Sequence, residues 1–301
     1  MWVTVLVPSY HRHQDLARCL AALRAQTRPP ESVLVVLRAD DQASMELLAA
    51  LSSWRELRAV TVPQPGVVAA MNTGVSTAQG DILAITDDDA QPDCDWIERI
   101  VATFDSDSRI AGVGGRDEQG TAASALDVGR VQWFGRVVGN HHVGVGPPRD
   151  VDVLKGANCA FRLPIVRDIR FDERLLGEGA QVHWELSLCL ALRRRGYRLV
   201  YDPSIRVRHH VGIRHGADQL HRGVFAAKPH EDAVYNETLI LAGHLTGVSR
   251  VAFELWAAAI GTAESPGVLQ VPRVLVREGR VAFARWHATR RARRRGFADS
   301  G

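Results

Sequence analysis

The first half of the chain alternates between short apolar runs and amphipathic stretches. Residues 2–7 and 33–37 are β-branched runs of strand length, and residues 57–62, 81–86 and 110–114 read as further strands. Between the first two, residues 15–26 place Leu16, Cys19, Leu20 and Leu23 at the i, i+3, i+4, i+7 spacing that gives a helix one apolar face. Thr27-Arg28-Pro29-Pro30 ends that helix, and residues 44–54, 65–78 and 96–104 supply the next three. Strand–helix alternation at this pitch predicts an α/β fold, a parallel sheet with helices on both faces. Ligands of such sheets bind beyond the carboxyl ends of the strands, so residues 8–12, 38–41 and 87–89 are the positions to watch.

The rhythm breaks after residue 115. Residues 116–150 are an irregular excursion holding Trp133-Phe134 and a Gly- and His-rich stretch with His141 and His142, and excursions of that length in a compact domain usually carry function. Regular structure returns at residues 151–161, a helix at 185–195 closed by Gly196, and a strand at 198–201. From residue 231 the pattern is helical, at 233–245, 250–260, 268–277 and 281–295.

Composition narrows the class. The chain has 301 residues, 46% hydrophobic and 24% charged, which excludes a disordered chain. Its net charge is +3, yet lysine occurs only at positions 155 and 228; the remaining cations are arginines, and five of them crowd residues 290–295. A basic tail suits anionic lipid or nucleic acid, but no recognition module accompanies it, so nucleic acid is set aside. Cys19, Cys94, Cys159 and Cys189 form no C-x-x-C pair and read as buried free thiols of a reducing cytosol. No signal peptide is read at the start, where the apolar run breaks at Pro8, and no uncharged run is long enough to span a bilayer. The expected location is cytoplasmic.

The sharpest chemical feature is Asp87-Asp88-Asp89, directly after a buried strand. Carboxylates at that density repel unless a cation or donors neutralise them, and hard oxygen ligands suit Mg2+ or Mn2+. A solvated acidic turn capping the following helix is the plain alternative.

With these residues in view, the chain resembles a family 2 glycosyltransferase of the nonprocessive bacterial type, with the GT-A fold. Residues 3–10 resemble the family's opening strand and nucleotide loop, residues 66–74 the segment whose Asn precedes the D-x-D strand, and residues 80–89 that strand and its motif. Residues 155–162 resemble the acceptor-side strand, and residues 197–203, continued to His209, the closing strand and late histidine. The resemblance implies a Rossmann-like, mixed, mainly parallel sheet with a C-terminal helical region. It divides the chain into a nucleotide-sugar-binding half at 1–115, an acceptor-binding half at 116–230 and a helical region with a basic tail at 231–301.

The resemblance also implies an activity: inverting, metal-dependent transfer of a sugar from a nucleotide diphosphate, with UDP- or dTDP-sugars foremost, to an acceptor hydroxyl. The acceptor would be a saccharide or a lipid-linked glycan, as in polysaccharide, glycolipid or secondary-metabolite synthesis. Pro8, Tyr10, Arg12, Asn72, Asp87 and Asp88 would border the donor, with Asp40 or Asp41 on the base; Ala39-Asp40-Asp41-Gln42-Ala43-Ser44 departs from the family's Asp-Asp-Gly-Ser. Asp87, Asp89 and His209 would hold Mn2+ or Mg2+; His210, its neighbour, would point the other way. Glu185 would be the catalytic base, with His183 the alternative, because Trp184-Glu185 stands where the family has Glu-Asp. Asn158, Trp184 and His142 would lie on the acceptor side. Processive members carry Gln-x-x-Arg-Trp, whereas Gln219-Leu220-His221-Arg222-Gly223 lacks the Trp, which implies single additions. Peripheral contact of the basic helix with a membrane is a further expectation. The eroded base motif leaves a second reading, a catalytically weak sugar-nucleotide-binding or scaffold protein on the same fold.

Overall fold

The computed structural model describes residues 1–210 and 225–301. In chain order its strands are β1 Val3–Pro8, β2 Ser32–Leu37, β3 Leu57–Thr61, β4 Ile82–Ile85, β5 Ala90–Pro92, β6 Ile110–Glu118, β7 Arg130–Val131, β8 Val137–Val138, β9 Arg149–Asp150, β10 Cys159–Arg162 and β11 Arg198–His209. Its helices are α1 His13–Arg24, α2 Gln42–Ala50, α3 Val67–Thr77, α4 Trp96–Ser106, α5 Leu163–Ile169, α6 Trp184–Arg194, α7 Ala227–His244, α8 Gly247–Ala259, α9 Val271–Glu278 and α10 Val281–Asp299.

Among the described residues, nine strands form one sheet in the order β3-β2-β1-β4-β10-β6-β11-β5, with β9 beside β11. The pairs β1–β2, β2–β3, β1–β4 and β6–β11 are parallel. Strand β10 runs antiparallel between β4 and β6, and β5 is antiparallel to β11. The sheet is therefore mixed and mainly parallel, as the motifs imply. Strands β1 and β2 are buried almost throughout, while β3, at the sheet's edge, is half-buried and exposed by turns. That difference is what burial on both faces of a central strand demands.

Helix α1 buries Leu16, Cys19, Leu20 and Leu23, the four residues its periodicity selected. Helix α4 buries Trp96, Ile97, Ile100, Val101 and Phe104. Several elements differ from the sequence reading: the short strands β5, β7, β8 and β9 were not read, residues 151–158 form no strand, and a helix and a long strand differ as follows. Helix α5 was not expected; it is short, and its signal is Pro164 in the first turn, where the missing N–H costs nothing. Strand β11 runs to His209 instead of stopping at residue 201, carried by the alternation of buried Ile205 and Val207 with exposed Arg206 and Arg208. Of the cysteines, Cys19, Cys159 and Cys189 are buried, but Cys94 is exposed, which corrects the expectation of four buried thiols.

The chain forms two compact units. One comprises Met1–Arg130, Val138–Glu173 and residues 187–210, and holds the sheet. The other comprises Val131–Val137, Arg174–Leu186 and residues 225–301. Within the second unit α7 and α10 lie against each other: His230 Nε2 meets Thr289 Oγ1 at 2.8 Å, and the Tyr235 hydroxyl donates to Asp299 at 2.9 Å. A Cβ at Gly296 would come within 3.0 Å of the Tyr235 carbonyl oxygen, so only glycine permits that approach. No helix among the described residues is long and apolar enough to cross a membrane.

Candidate active site

Strands β1, β2 and β4 end side by side, and the residues just beyond them build the site. His11, in the left-handed region at φ 54, turns the chain after β1 and aims its N–H at Asp41 Oδ2, 2.7 Å away. Asp41 is fully buried and also caps α2, accepting from the Ser44 N–H at 3.2 Å. Its oxygens therefore serve the loop itself. Asp40 is different: half exposed, it meets Arg38 at 3.2 Å and lies 3.4 Å from the Tyr10 hydroxyl. The Arg38 guanidinium stands 5.2 Å over the Tyr10 ring, and the His11 ring is 4.1 Å from that ring, centroid to centroid. Pro8 ends β1 immediately before this group.

Beyond β4, the Thr86 hydroxyl donates to the Ala157 carbonyl at 3.1 Å and pins the strand end. Asp87, Asp89 and His209 follow, with ligand atoms within 4.8 Å of one another, a spacing one metal ion can bridge. Arg12 grips the other side of the cluster, with contacts of 2.6 and 3.1 Å to Asp88 and 2.8 Å to Asp89. Burial pushes the Asp87 carboxyl up, reinforced by Asp89 and opposed by His209 and Arg12. Burial pushes Asp88 up to about 7, against the pull of Arg12. His209 goes the other way. Its burial favours the neutral ring, yet hydrogen bonds to Asp117 and Asp89 overcome that and raise it to about 10. Arg12 and the protonated His209 thus balance the acid cluster, and a cation held there would take the place of the His209 proton.

Asp117, near the end of β6, stands against the cluster and was not singled out by the sequence reading. It is fully buried, holds His209 Nδ1 at 3.0 Å and receives the Lys155 ammonium at 2.7 Å. That leaves His209 Nε2 facing Asp89 Oδ1 at 3.1 Å. A carboxylate that fixes one ring nitrogen so that the other points at a metal is the usual support of a histidine ligand. The signal available in the sequence was the polar pair Arg116-Asp117 prolonging the apolar run 110–114.

His210 does turn away: its Nε2 lies 3.1 Å from Gln91 Oε1, while its backbone N–H donates to the Asp89 carbonyl. Asn72 is buried in α3 and exchanges hydrogen bonds with the Phe171 backbone, its amide also donating to Glu173 at 3.1 Å. Asn158 is likewise occupied, donating to the Arg116 and Ile205 carbonyls and accepting from Trp96 Nε1 at 2.8 Å. In the excursion, His141 is buried against the Val153 carbonyl at 2.9 Å, and His142 beside it is half-buried.

His183, Trp184 and Glu185 belong to the second unit. Trp184 is buried and Glu185 half-buried in the first turn of α6. The turn before them is strained: Gln181 and His183 both have positive φ, at 37° and 76°. Non-glycine residues hold such angles only where their surroundings enforce them, and they concentrate at functional sites. Gln219 to Gly223, on which the expectation of single additions rests, lie outside the described residues.

Residues 4–127 match the model of the family described as Glycosyl transferase family 2. Over that stretch, which holds β1 to β6, the chain is similar to glycosyltransferases of that family. Among curated relatives, Glycosyltransferase AglE of the archaeon Haloferax volcanii is 29% identical over 213 residues, 68% of this chain and 65% of the relative. The Glucosyl-dolichyl phosphate glucuronosyltransferase of the same organism is 23% identical over 220 residues, 69% of each chain. The chain thus spans about two thirds of the length of these relatives. Among solved structures, the mannosyltransferase PcManGT of Pyrobaculum calidifontis, in complex with GDP-Man and Mn2+, is 18% identical with a TM-score of 0.59, over 98% of this chain and 83% of that one. The fold is GT-A.

Proposed function

We propose that the enzyme transfers a sugar from a nucleotide diphosphate to an acceptor hydroxyl with inversion, one addition at a time, using a divalent cation. The observation that carries this reading is the convergence of Asp87, Asp89 and His209 beyond the end of β4 in a GT-A sheet. Two carboxylates and an imidazole fit Mn2+ or Mg2+, and such an ion, when bound, neutralises the diphosphate that leaves. The Mn2+ and nucleotide sugar of the Pyrobaculum neighbour agree with this choice.

Each residue then has a part. Tyr10 offers a ring face to the nucleobase, and Asp40, the exposed member of its pair, an acceptor for the base N–H. Pro8, Arg12 and Asp88 border the ribose and phosphates, whereas Asn72, its amide spent on the Phe171 backbone and Glu173, supports the site from α3 without touching the donor. Glu185 takes the acceptor proton, with His183 as the alternative. The acceptor oxygen forms its bond to the anomeric carbon from one face as the carbon–phosphate oxygen bond breaks on the other, and the nucleoside diphosphate departs with both electrons of that bond. Trp184 and His142 belong to the acceptor side, whereas Asn158, its amide spent on the Arg116 and Ile205 carbonyls and on Trp96, supports that side without facing the acceptor. UDP- or dTDP-sugars are the donors we favour. A saccharide or lipid-linked acceptor is in keeping with the dolichyl phosphate in a relative's name.

The test is transfer and donor hydrolysis measured with UDP-, dTDP- and GDP-sugars, with and without Mn2+. Turnover should require the ion and fall at least about a hundredfold in Asp89→Ala, as losses of charge-stabilising groups do. Full turnover in that variant removes the proposed metal role. Donor binding without turnover across a broad acceptor panel would instead favour a sugar-nucleotide-binding protein.

A further inference from the structure

Helix α10 sorts its arginines by face. Arg285 pairs with Glu278, Arg291 with Glu231 and Arg295 with Asp299. Arg290, Arg293 and Arg294 have no ion-pair partner among the described residues. Those three fall on one stripe with Trp286 and Phe297, and the stripe lines a groove of about 330 Å³ within the second unit, walled opposite by α8 and Val268.

Three features of the groove point to one kind of occupant. Its charged lining is wholly cationic: no carboxylate lines it. Arg293 is buried in its wall, held by the backbone carbonyls of Ala257 and Ser265; among the described residues no carboxylate pairs with it directly, and Glu237 acts on it only from a distance. A buried cation without a direct ion-pair partner is costly, and an anion delivered from outside relieves that cost. Beside it the surface is apolar and open to solvent, with Val268 53% and Leu269 70% exposed. Arginine's planar fork suits phosphate oxygens, and side chains of this apolar kind suit an acyl boundary.

We propose that this groove is a membrane-docking site that takes the phosphate of an anionic phospholipid, with Val268 and Leu269 entering the acyl layer beside it. The inference is independent of the sugar transfer described above. A basic helix that merely lies on anionic lipid would use all its arginines alike; a groove uses Arg290 and Arg294 and spares Arg291 and Arg295.

The experiment is cosedimentation of the full chain with vesicles of phosphatidylglycerol mixed with phosphatidylcholine, and with phosphatidylcholine alone, at constant ionic strength. Wild type should bind only the anionic vesicles. The double variant Arg290→Gln/Arg294→Gln should lose roughly tenfold or more in partitioning, from two lost lipid contacts. The charge-matched Arg291→Gln/Arg295→Gln should stay close to wild type, and Leu269→Gln should weaken binding while leaving the thermal melt in place. Equal loss in the two double variants, absence of binding by wild type, or displacement by inorganic phosphate in place of lipid would each overturn the proposal.

Discussion

Asp117 never touches the diphosphate in our reading, yet it sets what His209 can do. With Lys155 on one oxygen and His209 Nδ1 on the other, it fixes the ring plane and reserves Nε2 for the cluster. Its own carboxyl, despite burial that would raise it, is held well below the ordinary carboxylate range by His209 and Lys155. Asp117→Asn keeps the shape and weakens the support. Calorimetric titration with Mn2+ should show roughly a 10- to 100-fold weaker affinity, the usual cost of losing a ligand's supporting carboxylate. An unchanged affinity would mean that His209 does not ligate. Single residues of this kind were the least legible part of the site. Asp87 and Asp89 announce themselves by crowding, whereas Asp117 is one acid at the end of a long strand, and its partner His209 lies far along the chain. Asp40 and Asp41 look equivalent in sequence; only burial separates the helix cap from the exposed carboxylate.

Elements were legible where a period repeats. Apart from the short β5, the strands and helices through residue 114 follow from apolar runs and one-faced helices, because burial imposes those periods locally. Neighbour choice and direction are set by long-range pairing, so the antiparallel entry of β10 left no local trace. The join of β6 and β11 shows how tightly that pairing is set. Their register shifts between Asp202 and Arg206, and a Cβ at Gly115 would sit 1.8 Å from the Ile205 carbonyl oxygen. Since backbone cannot yield as a side-chain end can, Gly115→Ala should destabilise by about 2–3 kcal/mol or more, as overpacking of a core does. Chemical denaturation would measure it. Stability within a few tenths of wild type would mean that the bulge can shift.

At the scale of the molecule, acid stability should be governed partly by the excursion that sequence pattern could not resolve. His141 is buried in it with a ring nitrogen on the Val153 carbonyl, and burial lowers its pKa from 6.5 to about 4. The unfolded chain binds that proton more readily than the folded one below pH 6.5. Stability is therefore undiminished above that value and falls as the pH drops toward 4, by at most about 3 kcal/mol from this group. Urea midpoints across that window, compared between wild type and His141→Gln, should show a shallower slope in the variant; identical slopes would remove His141 as the cause. The same excursion separates β6 from β10, and this has a consequence for biosynthesis. The sheet cannot close in the order in which the chain is made. Strands β4 and β6 emerge from the ribosome early but are not partners; each holds a bare edge until β10 arrives and slots between them. Unpaired edges next to apolar strands invite association with other chains. Since the other edge of β6 waits for β11, the nascent chain is thus most at risk of aggregation between the synthesis of β6 and that of β11, and a chaperone that shields these edges would have its effect in that interval.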